Sequence, residues 1–148
     1  MHTLFNFPLA SALLSMIVAQ VIKLPLQLIS KKSWNPAICF STGGMPSSHS
    51  ATVASLATAV GIMEGFNSSV FAVAAVVCAI TMYDAAGIRR NAGLHASLLN
   101  RLVKQTPALL KDAPPTDLKE LLGHRPVEVL AGALLGIGIS LLIHFTVS

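Results

Sequence analysis

This sequence is short of charge. Only 11% of its 148 residues are Asp, Glu, Lys or Arg, against about 25% in a soluble domain. So few charged side chains cannot cover a water-facing surface, and lipid is therefore predicted as part of the solvent. Aromatics are sparse too, at 5%. Because the basic residues also sit between apolar runs, nucleic acid is excluded as the partner behind the +4 net charge. The two cysteines, Cys39 and Cys78, share no ligand spacing, which predicts neither a metal centre nor a disulfide framework. Both read as small buried hydrophobes. The stretch Met1 to Ile22 lacks a basic start and leads into no polar domain, so a retained span is expected rather than a cleaved leader.

Apolar length is what the chain has in excess: 53% of residues are hydrophobic and the mean hydropathy is +0.70. Four apolar segments stand out, at Leu4 to Ile22, about Ser50 to Phe66, about Ser69 to Tyr83, and Val127 to Val147. At ~20 residues per crossing, about four spans nearly fill the chain. The prediction is one all-α domain over residues 1–148: a polytopic membrane helical bundle with a short interfacial helix. The second and third segments are short, which implies tilt or a place inside the bundle. Glu64-Gly65-Phe66-Asn67-Ser68 forms a tight polar turn between them. Gly132 and Gly136, extended by Ala131 and Gly138, give the fourth helix a smooth face that lets backbones approach closely. The exposed small-residue surface of such short helices leads to the expectation of a homodimer.

The loops orient the bundle. Lys23, Lys31 and Lys32 fall in the first connection; Arg89, Arg90, Arg101, Lys104, Lys111, Lys119 and Arg125 fall in the third. The tails and the Glu64 turn carry no Lys or Arg, so all ten basic residues lie on one side of a four-span bundle. The positive-inside rule makes that side cytoplasmic and puts both termini outside, in a multi-pass cell-membrane protein. Within the third connection, Ala92 to Leu110 alternates Leu94, Leu98, Leu99, Leu102 and Leu109 with basic residues. This pattern predicts an amphipathic helix at anionic headgroups, with membrane lipids as its partner. Pro114-Pro115 ends it, and Thr116 can cap a further short helix.

Two clusters carry chemistry. Ser41-Thr42-Gly43-Gly44-Met45-Pro46-Ser47-Ser48-His49-Ser50 precedes the second apolar helix, where free N–H groups and the helix dipole favour an anion. His49 adds a proton donor near neutral pH. A serine-rich cap with an incidental histidine explains the cluster as well. The second cluster, Gly123-His124-Arg125-Pro126-Val127-Glu128, opens the fourth helix, with Pro126 suited to the first helical position. His124 and Glu128 stand four apart, so their side chains can meet. A carboxylate on one imidazole nitrogen leaves the other nucleophilic. The plainer alternative is a Glu serving the helix dipole. Asp84, at the edge of an apolar run, is expected to pair with Arg89 or Arg90.

Pro46-Ser47-Ser48-His49, followed by His124-Arg125-Pro126-Val127-Glu128-Val129-Leu130-Ala131-Gly132, resembles the type 2 phosphatidic acid phosphatase superfamily. That superfamily includes the vanadium haloperoxidases and carries a Pro-Ser-Gly-His motif and a later His-x-x-x-Asp motif. Gly43 to Ala51, Tyr83-Asp84-Ala85-Ala86-Gly87-Ile88-Arg89-Arg90 and Leu118 to His124 look like its small divergent bacterial and plastid branch, over about residues 19–140. The resemblance implies phosphoryl transfer from a lipid phosphate or pyrophosphate without metal or cofactor. His124 would attack phosphorus, Glu128 would orient it and His49 would protonate the departing alcohol. Lys23, Ser47, Ser48, Asp84, Arg89, Arg90 and Lys119 are the candidates for binding substrate.

The departures are specific. Ser48 stands for the usual Gly and Glu128 for the usual Asp. Asp117-Leu118 replaces the Ser-Arg pair that would clamp phosphate, and Lys31 to Pro36 lacks the Arg-Pro of the first motif. Lys23 and one of Arg89 and Arg90 are the expected replacements. A non-catalytic lipid-phosphate binder or transport component is the alternative, favoured by the lost clamp. Haloperoxidase activity fits poorly, since vanadate would want more cations than this chain offers.

Overall fold

The computed structural model describes residues 6–31, 44–105, 118 and 122–147. Among these the chain forms five helices and no strand: α1 (Phe7–Lys31), α2 (Ser48–Glu64), α3 (Ser69–Ala86), α4 (Ile88–Gln105) and α5 (Pro126–Val147). α1, α3 and α5 are long and apolar enough to cross a membrane. α2, with 17 residues, spans about 25 Å and is the central helix, packed against α1, α3 and α5.

Local chemistry sets most of the boundaries. Asn6 opens α1, its Oδ1 accepting the Leu9 N–H at 3.0 Å. Ser47 caps α2 and Ser68 caps α3, each side-chain oxygen accepting a backbone N–H three residues on. Gly65, at φ +86°, turns the chain between these two helices. α1 runs well past Ile22, through Pro25 to Lys31. The missing proline N–H costs it one internal bond without ending it. Lys23 is therefore not at the end of the first helix but well inside it.

The bundle is apolar outside and small or polar inside. Its core is alanine and serine: Ala12, Ala19, Ala51, Ala54, Ala57 and Ala59 are buried, as are Ser11, Ser15, Ser55 and Ser140. Leu9, Ile17, Val73, Ile80, Leu134 and Leu142 face outward. Large side chains gain nothing by hiding from lipid, whereas small ones let backbones close and leave hydroxyls to bond. Ser11 and Ser55 share a hydrogen bond of 2.8 Å between α1 and α2, and Ser15 donates to the Ser11 carbonyl at 2.8 Å.

The tightest seam is α2 against α5. A Cβ on Gly132 would strike the Ser47 carbonyl oxygen, and one on Gly136 that of Ala51. Gly138 meets nothing, so the smooth face ends before it.

α4 starts at Ile88, four residues before the expected amphipathic stretch, and is a full 18 residues long. Its small residues Gly93 and Ala96 turn inward with Asn100, while Leu94, Leu98, Leu99 and Leu102 are exposed. His144 lies against Phe7 of α1 with ring centroids 6.1 Å apart. Met45 and Met63 are exposed. Cys78 is half-buried, its Sγ 3.6 Å from Met82 Sδ; Cys39, Thr116 and Lys119 lie outside the described residues.

Candidate active site

The last turn of α3 and the N-terminal ends of α2 and α5 converge on one face, with Lys23 of α1 nearby. Two backbone bonds fix the convergence. The Ser47 N–H donates to the Glu128 carbonyl at 3.0 Å, joining the start of α2 to the first turn of α5. The His124 N–H donates to the Ala85 carbonyl at 2.9 Å, joining the loop before α5 to the last turn of α3. Gly123 makes that second bond possible. It sits at φ +80°, where a side chain is strained, and a Cβ there would collide with the backbone of Arg90.

His124 is buried, with 3% of its surface exposed. Its Nδ1 lies 3.2 Å from Glu128 Oε2. A carboxylate only accepts, so Nδ1 carries the proton and Nε2 holds the lone pair. That Nε2 is buried and has no hydrogen-bond partner among the described residues. Glu128 is itself held in place, because the same Oε2 accepts the Arg125 N–H at 3.0 Å. Burial pushes the His124 imidazole down from its ordinary 6.5; the bond and charge of Glu128 oppose this, Lys23 and His49 add to it, and the net direction is down. The buried ring is thus biased toward the neutral form that has a lone pair to offer.

His124 lines a cavity of about 10 Å³ together with His49, Thr81, Asp84, Ala85 and Arg89, room for about one water molecule. His49 reaches it from the first turn of α2. Asp84 Oδ2 accepts from Arg89 Nε at 2.6 Å, across the break at Gly87 between α3 and α4. Lys23 is 2% exposed, the largest fully buried side chain among the described residues. Its charge acts on both imidazoles. A cation buried in a bundle of alanine and serine is costly, and such residues in membrane helices usually mark a functional site.

The sequence-predicted residues separate into groups. His49, His124, Asp84 and Arg89 share the cavity, with Glu128 behind His124 and Lys23 within electrostatic reach. Ser47 and Ser48 are buried: the Ser47 side-chain oxygen accepts from the Ser50 N–H and hydroxyl, and the Ser48 backbone carbonyl accepts from Thr52 Oγ1. Arg90 is exposed and does not line the cavity; its backbone serves as the surface on which Gly123 packs. Sequence reasoning missed Thr81, the Ala85 carbonyl and Asn100. The Asn100 amide grips the Leu118 backbone from both sides, donating to its carbonyl at 2.9 Å and accepting its N–H at 3.1 Å. The one available signal was a polar residue in the inward stripe of α4.

The all-helical bundle thus brings two imidazoles, the Asp84 carboxylate and the Arg89 guanidinium to one cavity, with Glu128 behind His124. The chain belongs to the divergent PAP2 family, whose model matches residues 4–139. It is also 45% identical, over 98% of both chains, to a Bacillus subtilis (strain 168) protein described as the uncharacterized membrane protein YuiD. No solved structure matches the chain.

Proposed function

We propose that the protein is a membrane phosphatase of lipid phosphates or pyrophosphates that works through a phosphohistidine on His124. One observation carries this reading: His124 and His49 line a single cavity, with Glu128 on Nδ1 of His124 and its Nε2 left unpartnered. Nε2 attacks phosphorus, the bond from phosphorus to the leaving oxygen breaks, and His49 gives that oxygen its proton. Neutral His49 then takes a proton from water as the water displaces His124 from phosphorus, and orthophosphate leaves. Glu128 steadies the imidazolium character that grows on His124 during attack. Lys23 and Arg89 offset the charge on the phosphoryl oxygens, the dominant contribution in such transfers.

The positive-inside rule supports a cavity at the cytoplasmic headgroup level, with both termini outside. There it would meet lipid phosphates of the inner leaflet, with α4 lying against anionic lipid. A non-catalytic lipid-phosphate binder is the competing reading, favoured by the absence of a Ser-Arg clamp before His124. Detergent-purified protein incubated with a panel of lipid phosphates separates the two. Phosphate release with an acid-labile phosphoprotein intermediate, both lost in His124→Ala, supports the phosphatase. Saturable binding with no release in any substrate would replace it with the binder. Cysteine-labelling at Lys31 from outside intact cells would overturn the orientation.

A further inference from the structure

We propose that Asp84 is an internal competitor for phosphate: its carboxylate holds Arg89 at the cavity and yields it to the oxygens of an arriving phosphoryl group. The inference rests on the cavity being a phosphate site and adds the residue that sets how tightly phosphate is held there. A carboxylate on the wall of an anion site is otherwise an obstacle, since it repels the ligand. Paired with Arg89 through Nε at 2.6 Å, it is neutralised. A guanidinium binds carboxylate and phosphate with the same planar fork. The Nε edge that Asp84 occupies is therefore not open to a phosphoryl oxygen until the carboxylate lets go.

The cavity is small, about 10 Å³, and Asp84 and Arg89 both line it, so an arriving phosphoryl group meets the pair directly. His124 is pinned by Glu128 and Ala85, and Thr81, Asp84 and Ala85 are short side chains on α3. Arg89 is long, is the second residue of α4 just past Gly87, and is half exposed, with Asp84 at 31%. Solvent screens such a pair, so parting it costs little. Phosphate entry and loss of the Asp84–Arg89 bond are then one event, and the returning carboxylate helps to expel orthophosphate. If the pair merely braced the corner between α3 and α4, removing it would weaken the fold without raising phosphate affinity.

The test uses the full chain in detergent, with inorganic orthophosphate as probe, read by calorimetry and by inhibition of phosphate release. Asp84→Asn is expected to bind orthophosphate about tenfold more tightly, the usual effect of removing one nearby like charge. Asp84→Glu should stay close to wild type, and Arg89→Gln should bind weakly whether or not Asp84 is also changed. Unchanged or weaker binding in Asp84→Asn, with Arg89→Gln still impaired, overturns the competitor role and leaves the phosphate site standing. Orthophosphate that binds to no variant and none of whose effects depend on Arg89 overturns the phosphate site itself. Should Asp84→Asn fail to fold, Asp84→Ser takes its place; failure of both marks the pair as structural and ends the proposal.

Discussion

The seam between α2 and α5 and the corner between α3 and α4 are built on opposite plans. α2 and α5 meet at glycine and buried small residues, with carbonyls where side chains would otherwise be, and a backbone bond joins their starts. α3 has one buried residue, Ala85, and α4 has three, Gly93, Ala96 and Asn100. His49 stands on α2 and His124 in the loop that enters α5, whereas Asp84 stands on α3 and Arg89 on α4. On the proposed mechanism, the groups that keep a fixed geometry toward phosphorus start from the close-packed side, and the cation that follows a ligand sits on the open one. Precision and compliance are thus assigned to different helices.

The sharpest way to break this contrast is to remove the fixed nucleophile. His124→Ala is expected to lower phosphate release by at least about a thousandfold and to abolish the phosphoprotein. His49→Ala should cost about a hundredfold or more on alkyl phosphates. The loss should shrink for substrates whose leaving group departs without a proton, measured as a leaving-group series.

Glu128→Gln probes the charge behind the nucleophile. In the fold, His124 titrates below its ordinary 6.5, so the unfolded chain binds the proton first as pH falls. The stability from this group is therefore present above 6.5 and drains away as pH drops through the folded value. The acid limb of turnover accordingly lies below 6.5. Without Glu128, which raises the imidazole, that limb should move further toward acid while the rate falls. An acid limb that moves the other way would refute the assigned pairing.

Gly132→Ala puts a methyl on the Ser47 carbonyl and should destabilise the protein by about 1–3 kcal/mol, read as thermal stability in detergent. Gly138→Ala, two turns along the same helix, faces open space and should change it by less than about 0.5 kcal/mol. Ile80→Ala on the outward face of α3 belongs with the small effects. A loss there as large as at Gly132 would mean that α3 is packed against something other than lipid.

Much of the rigid half was legible in the sequence. The His124–Glu128 pair, the capped start of α2 at Ser47 and the Gly132–Gly136 face all follow from helical spacing and local chemistry, which a sequence states directly. The compliant half was less so. Asp84 was expected to meet an arginine, but Arg89 and Arg90 are adjacent letters, and only the break at Gly87 decides which one turns back. Lys23 looked like the end of a helix because apolar runs stop at charges. A buried cation and a terminal one have the same one-dimensional signature. The Ala85 carbonyl and the Asn100 grip are contacts between the middle of the chain and its later part, with no side-chain pattern to announce them.

The bond from His124 to the Ala85 carbonyl has a consequence for the surrounding bilayer. α3, at 18 residues, is about 27 Å long, close to the hydrocarbon thickness it must match. It packs on α2 along one side but leaves most of its surface to acyl chains, which therefore bear on its tilt. When the tilt changes, the carbonyl at its last turn moves, and the nucleophile's backbone moves with it. Turnover in vesicles of graded acyl length should therefore peak at one thickness, making the membrane itself a tuning element of the active site.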